Sequence, residues 1–244
     1  MKQHYFIAVC DILGFSDHIE ANPLDIVVNL SLDYFRRSLD HSVHKFEFPS
    51  QAPPTSDLDR HKHVGVALFS DTVLFYTKHD TDDAIRELLA TVSWLIFETI
   101  QQGQTRVRAG LAYGEAYIEP ENSLFIGMPI VNAYRFEQQQ QWAGGALDCS
   151  AYMRIPKEVR FGEYADWWLV EYDVPLKSNA IRRTLALNWN NGIHHPDWCL
   201  RWSMQFDMPS EADWSVNPSV CEKFVNTKKF HEKYCQFCRN DIKS

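Results

Sequence analysis

One mixed α+β domain on a split βαβ plan is predicted by three features of the sequence. From residue 5 to 112 the segments run strand, helix, strand, strand, helix, strand, which implies one antiparallel sheet with helices on one face. The apolar runs are short and β-branched where strands are expected, and follow a 3.6-residue period where helices are. With 45% hydrophobic and 23% charged residues, the 244-residue chain has a globular composition and can bury a large core.

Residues 5–13 read as a buried strand ended by a turn at Gly14, with Ser16 or Asp17 placed to cap the next helix. That helix carries Leu24, Val27, Val28, Leu30, Ser31, Tyr34, Phe35 and Leu39 on one face. The proline-bearing stretch 48–63 reads as a long loop. Val64–Phe69 and Thr72–Thr77 pinch around Ser70-Asp71, the pattern of a hairpin with a carboxylate near its tip. Residues 80–101 form a helix that opens on Asp80, Asp82 and Asp83 and buries Ile85, Leu88, Leu89, Val92, Leu95 and Ile96. A strand over 106–113, turn material at Pro120-Glu121-Asn122, a helix over 130–140, a short strand over 145–149 and a Ser150-capped turn over 151–154 follow.

Six of the eight tryptophans lie beyond Asp166. Strands are expected at 167–170 and 185–189, and a basic closing helix at 220–237. The chain therefore divides into residues 1–178 and a Trp-rich extension, 179–244, packed on the same domain. A formal charge of −8 argues against whole-surface attraction to nucleic acid or anionic lipid. The first apolar run is interrupted early by Asp11, and no window approaches a spanning helix, so a cytoplasmic protein with no membrane partner is expected. Six widely spread cysteines read as reduced thiols.

Asp11 stands at the end of an apolar strand and Asp71 where two apolar strands meet. Carboxylates at buried strand ends call for a partner, because desolvating them alone is costly. Two that meet there repel unless they are protonated or bridged by a cation, and hard divalent ions suit such oxygen ligands. Turn-making or helix capping is the plain alternative for each. Gly14-Phe15-Ser16 beside Asp11 is a strand-to-helix turn that can aim backbone N–H groups at a phosphate. No Walker or dinucleotide glycine motif is present. Arg135, on the helix over 130–140, has Val131 and Gln139 four residues to either side and so no helical charge partner. Cys235-Gln236-Phe237-Cys238 has the spacing of half a zinc site, which Cys199, Cys221, His194, His195 or His231 could complete; ordinary thiols are the alternative. Cys10 falls on the strand face opposite Asp11 and reads as core.

The segments FIAVCDILGFS, VALFSDTVLFYT and VRAGLAYGEAYIEPENSLFIGMPIVNAYRFE, in that order, resemble the class III nucleotidyl cyclase family over roughly residues 5–155. The resemblance implies a ferredoxin-like split βαβ core whose metal ligands are Asp11, Ile12 and Asp71. These would hold two divalent cations, Mn2+ or Mg2+, and a nucleoside triphosphate, met also by Gly14, Phe15 and Ser16. It implies that Arg135 steadies the phosphates, that the ribose is oriented by Asn132, one residue out of register with the family asparagine, and that Lys177 meets the triphosphate. Paired domains with sites at a head-to-tail homodimer interface are implied as well.

Family members that make cyclic AMP read adenine with a lysine four residues before the second aspartate and an aspartate three before the helix glycine. Here those positions hold Ala67 and Leu124, which cannot hydrogen-bond a purine edge. The short cyclase domain, LFSDTVLFYT and the AYRFE helix also resemble the bacterial pyrimidine cyclases of phage defence, which implies conversion of UTP to cyclic UMP and a signal to a separate effector. Cyclic CMP production, a purine cyclase and an inactive ligand-binding module are the alternatives. A diguanylate cyclase is excluded by the absent GG[DE]EF hairpin, and a palm polymerase is disfavoured by the acidic balance.

Overall fold

The computed structural model describes residues 2–28, 33–45, 63–102, 106–162, 167–193, 217–236 and 238. In chain order these form β1 (Lys2–Ile12), α1 (Phe15–Ala21), α2 (Leu24–Ile26), α3 (Asp33–Lys45), β2 (Val64–Phe69), β3 (Thr72–Thr77), α4 (Asp82–Gln102) and β4 (Val107–Glu119). There follow β5 (Leu124–Gly127), α5 (Met128–Gln139), β6 (Gly144–Leu147), α6 (Cys149–Arg154), α7 (Lys157–Arg160), β7 (Leu169–Pro175), β8 (Ile181–Leu187) and α8 (Pro218–Tyr234). Short 3-10 turns occupy Pro120–Asn122 and Trp189–Gly192.

The sheet order is β2-β3-β1-β4-β6-β8-β7, with β5 paired to β4. Its first four strands are the expected split βαβ core, and β1 lies inside it with β3 on one side and β4 on the other. Alternation along β1 builds both faces: Phe6, Ala8 and Cys10 join the large core under α3 and α4, while Tyr5, Ile7 and Val9 join a smaller cluster with Ala133 of α5. Cys10 is core, as its strand parity requires. Among the described residues no helix is long and apolar enough to cross a membrane.

The pairings among β1, β2, β3 and β4 are all antiparallel, as expected for residues 5–112; beyond that core the sheet becomes mixed, because β6 runs parallel to β4. Parallel neighbours require a crossover, and α5 supplies it on the face opposite α4. The seat of α5 is Gly110: a Cβ there would stand 2.1 Å from the Ala133 carbonyl oxygen and 2.5 Å from the Glu137 nitrogen. Only a glycine lets helix and strand backbones approach so closely.

Two caps differ from expectation. Neither Ser16 nor Asp17 caps α1; Gly14 does so from a left-handed conformation, φ 75°, without a side-chain bond. α6 is capped by Asp148, which accepts the Ala151 amide at 2.8 Å, while Ser150 donates to Asp148 at 2.6 Å. Asp148 also offers a charge to the helix N-terminus, which a serine cannot. The expected loop over 48–63 falls, except for His63, outside the described residues. β7 and β8 pair across residues 176–180. α8 packs back on the sheet through Thr227, whose hydroxyl accepts the Ala143 amide at 2.8 Å, and through Phe230 in the main core.

Candidate active site

Asp11 is brought to the sheet end by β1 and lies in register with Thr72 of β3 and Arg108 of β4. The Thr72 hydroxyl donates to Asp11 Oδ1 at 3.2 Å. Asp71 occupies the tight β2–β3 turn, next to Ser70 in the left-handed region at φ 56°. Burial first, and the Asp71 charge second, raise the Asp11 carboxyl above its ordinary value; Arg108, Thr72 and Lys177 pull it back. The two aspartates are thus neighbours whose charges oppose each other. That donor set, oxygen only, fits a hard divalent cation, which would relieve the repulsion. Ile12 is buried in the core, so only its backbone carbonyl is available to such an ion.

Cationic groups surround this pair. Arg108, 3% exposed, is ion-paired with Glu137 of α5, 0% exposed, and its Nη1 donates to the Gln140 carbonyl at 3.0 Å. Lys177 follows β7, where its amide donates to the Gln139 carbonyl at 2.8 Å. Burial, then Arg108, lowers the Lys177 amine, while Glu137 and Asp11 raise it. A second amine was not singled out from sequence: Lys223 of α8, half-buried, is lowered by burial and by the charges of Arg108 and Lys177. Asp11 therefore lies near Asp71, Arg108 and Lys177, and Lys223 adjoins this group through Arg108, Lys177 and Glu137.

Gly14, Phe15 and Ser16 follow Asp11 at the start of α1, with Gly14 and Ser16 exposed. The Phe15 ring is buried in the main core, so a ligand can meet only its backbone. Arg135 is not brought to the carboxylates. Ala133 and Glu137 face β4, and Arg135 lies about 200° round the helix from each, exposed to solvent. Among the described residues no carboxylate pairs with it. Asn132 is half-buried on the same helix.

Ala67 of β2 and Phe125 of β5 pack on the smaller cluster, and Phe69 meets Phe125 edge to face at 5.6 Å. Leu124 is 42% exposed. With Ile126, Met128, Val131 and Tyr134, also exposed, it forms an apolar surface running from β5 onto the outer side of α5. Of the residues offered to complete a site with Cys235 and Cys238, His231 stands beside them, Cys221 is buried apart, and Cys199, His194 and His195 lie outside the described residues.

No family model matches the sequence, and no curated protein matches it. Among solved structures, the guanylate cyclase domain of RhGC from Catenaria anguillulae, in complex with GTP, matches with a TM-score of 0.53 at 14% identity, over 77% of this chain and 97% of that one. A guanylyl cyclase domain of the RhoGC fusion protein from the aquatic fungus Blastocladiella emersonii, in an unconventional dimer, matches with the same TM-score, identity and coverage. The catalytic core of a rhodopsin-guanylyl cyclase with converted specificity, in complex with ATPalphaS, matches with a TM-score of 0.52 at 14% identity, over 77% of this chain and 96% of that one. The fold, an α+β core with a mixed central sheet and flanking helices, is the one these cyclase domains have.

Proposed function

We propose that the chain is a metal-dependent nucleotidyl cyclase acting on a pyrimidine nucleoside triphosphate, UTP before CTP. The observation that carries the reading is the placement of Asp11 at the end of β1, in register with Thr72 next to Asp71 and with Arg108, near the amine of Lys177, which in turn neighbours Lys223. Carboxylates in need of a cation, next to amines in need of an anion, suit a metal–triphosphate ligand. The reaction joins the ribose 3′-oxygen to the α-phosphorus and breaks the bond to the β-phosphate; the hydroxyl proton goes to solvent and pyrophosphate leaves. Two divalent cations held by Asp11, Asp71 and the Ile12 carbonyl would supply charge stabilisation at the attacking and leaving oxygens. Gly14 and Ser16 would meet the phosphates beside them. Lys177 and Lys223 would take up charge on the departing pyrophosphate.

Arg135, turned away from its own carboxylates, would serve a second copy of the chain in a head-to-tail homodimer, with Asn132 at the ribose. The exposed apolar surface around Leu124, Met128 and Tyr134 supports such an assembly. For the base, Ala67 and Leu124 offer no hydrogen bond, and Phe69 and Phe125 narrow the wall between them. The cyclic product would signal to a separate effector, in keeping with the resemblance to phage-defence cyclases. A purine cyclase is the second reading, favoured by the GTP and ATPalphaS held by two of the matched structures. Incubation with equal UTP, CTP, ATP and GTP plus manganese, followed by mass analysis, decides between them. Cyclic UMP is expected; cyclic AMP or cyclic GMP as the main product overturns the pyrimidine reading, and no product in any case overturns the cyclase reading.

A further inference from the structure

At the other end of α8 from Lys223, three metal-ligating side chains converge away from the aspartates. His231 is on the last turn of α8, Cys235 is its C-cap, and Cys238 follows in the next turn. Their ligand atoms all lie within 4.8 Å of one another, and His231 Nε2 stands 3.5 Å from Cys238 Sγ. A tetrahedral zinc with bonds of about 2.0 Å to nitrogen and about 2.3 Å to sulfur requires a nitrogen–sulfur edge of about 3.5 Å.

The tautomer of His231 is set for the task. Its Nδ1–H donates to Asn190 Oδ1 at 2.7 Å, while the Asn190 amide nitrogen is directed to Asn188 Oδ1 at 3.4 Å. The lone pair is therefore on Nε2, which faces the two sulfurs, and Asn190 is the kind of outer partner that orients a histidine ligand. The indole of Trp189 stacks on the imidazole at 5.7 Å and 1° between planes, and holds the ring in place. His231 and Cys235 are buried, and Cys238 is half-buried. This leaves a short path from solvent to a site otherwise walled by core.

We propose that His231, Cys235 and Cys238 bind one zinc ion, which fastens the end of α8 to the 3-10 turn Trp189–Gly192. That turn packs on α4 through Gly192 and Phe97, so the ion ties the carboxy-terminal segment to the central core. Three protein ligands leave one tetrahedral position for a water or a further donor. Binding expels the two thiol protons, and the product is a neutral zinc dithiolate, which suits a mostly buried site.

The test uses the full chain without a histidine tag, purified under reducing conditions. Elemental analysis is expected to find about one zinc per chain, with tetrahedral cobalt–thiolate absorption after exchange. Cys238→Ser, at the half-buried position, should lose most of the metal while keeping its circular dichroism. Asp71→Asn should keep its zinc, which separates this site from the proposed cyclase centre. A folded wild-type chain that neither carries nor takes up zinc, a cobalt form without thiolate absorption, or a Cys235–Cys238 disulfide in the reduced preparation overturns the proposal.

Discussion

Arg108 on β4 and Glu137 on α5 are locked in a fully buried ion pair, and Arg108 lies in register with Asp11 on the neighbouring strand. The pair joins the crossover helix to the strand that flanks the carboxylate, and burial raises the Glu137 carboxyl in spite of the neighbouring guanidinium. Breaking such a pair from one side leaves an uncompensated buried charge. Glu137→Ala is expected to cost roughly 3–5 kcal/mol in urea denaturation, and Arg108→Met with Glu137→Leu should recover most of that loss. A single change that costs under about 1 kcal/mol would show that water reaches the pair.

Asp11 carries an opposite cost. Its raised pKa means that the folded chain holds the proton more tightly than the unfolded chain does. Its contribution to stability is full below the ordinary carboxylate range and is lost as pH rises through the raised value. At neutral pH the ionised group is a burden on the metal-free fold. Asp11→Asn should raise the metal-free melting temperature by about 1–4 °C at neutral pH, and by less in acid. Manganese should then stabilise the wild type and not the variant. A melting point lowered by the substitution at neutral pH contradicts this account.

At Gly110 the expectation is steric. Gly110→Ala pushes a methyl group into the backbone of α5, which must lift from β4. A loss of about 1–3 kcal/mol is expected from overpacking. The displaced helix also carries Arg135, so activity should fall further than stability alone accounts for. Wild-type stability in this variant, measured by denaturation, rules out the close seating.

Lys223 provides a test of the closing helix as part of the centre. Lys223→Ala should raise the KM for nucleoside triphosphate by about tenfold, the worth of one charge-assisted hydrogen bond. Lys223→Arg should retain most of the affinity, and Lys229→Ala, exposed on the same helix, should change nothing. Equal effects of Lys223→Ala and Lys229→Ala would assign Lys223 to the surface.

The sequence made Asp11 and Asp71 visible because each interrupts an apolar run whose parity and length are local properties. The order of the first four strands was legible for the same reason. The parallel pairing of β4 and β6 was not, because it depends on the side of the sheet on which α5 returns. The cap of α6 was misassigned to Ser150 because serine and aspartate two residues apart are both competent, and only the chain path from β6 selects Asp148. Lys223 was missed because its electrostatic neighbours, Arg108, Glu137 and Lys177, sit on other elements far away in sequence. A signal existed even so: Lys223, Thr227, Phe230 and Tyr234 recur at four- and three-residue spacing, and a lysine on that inward stripe is out of place on a purely structural face.

The direction of Arg135 has a kinetic consequence. A lone chain has Asp11 and Asp71 at one end of the sheet and Arg135 on the outward side of α5. On the proposed reading, two chains must meet before either can turn over. Specific activity should then fall on dilution and recover on concentration, with velocity approaching second order in protein below the dimer dissociation constant. The cell could thus control signalling output through the amount of protein alone, because doubling a scarce chain would raise product formation about fourfold.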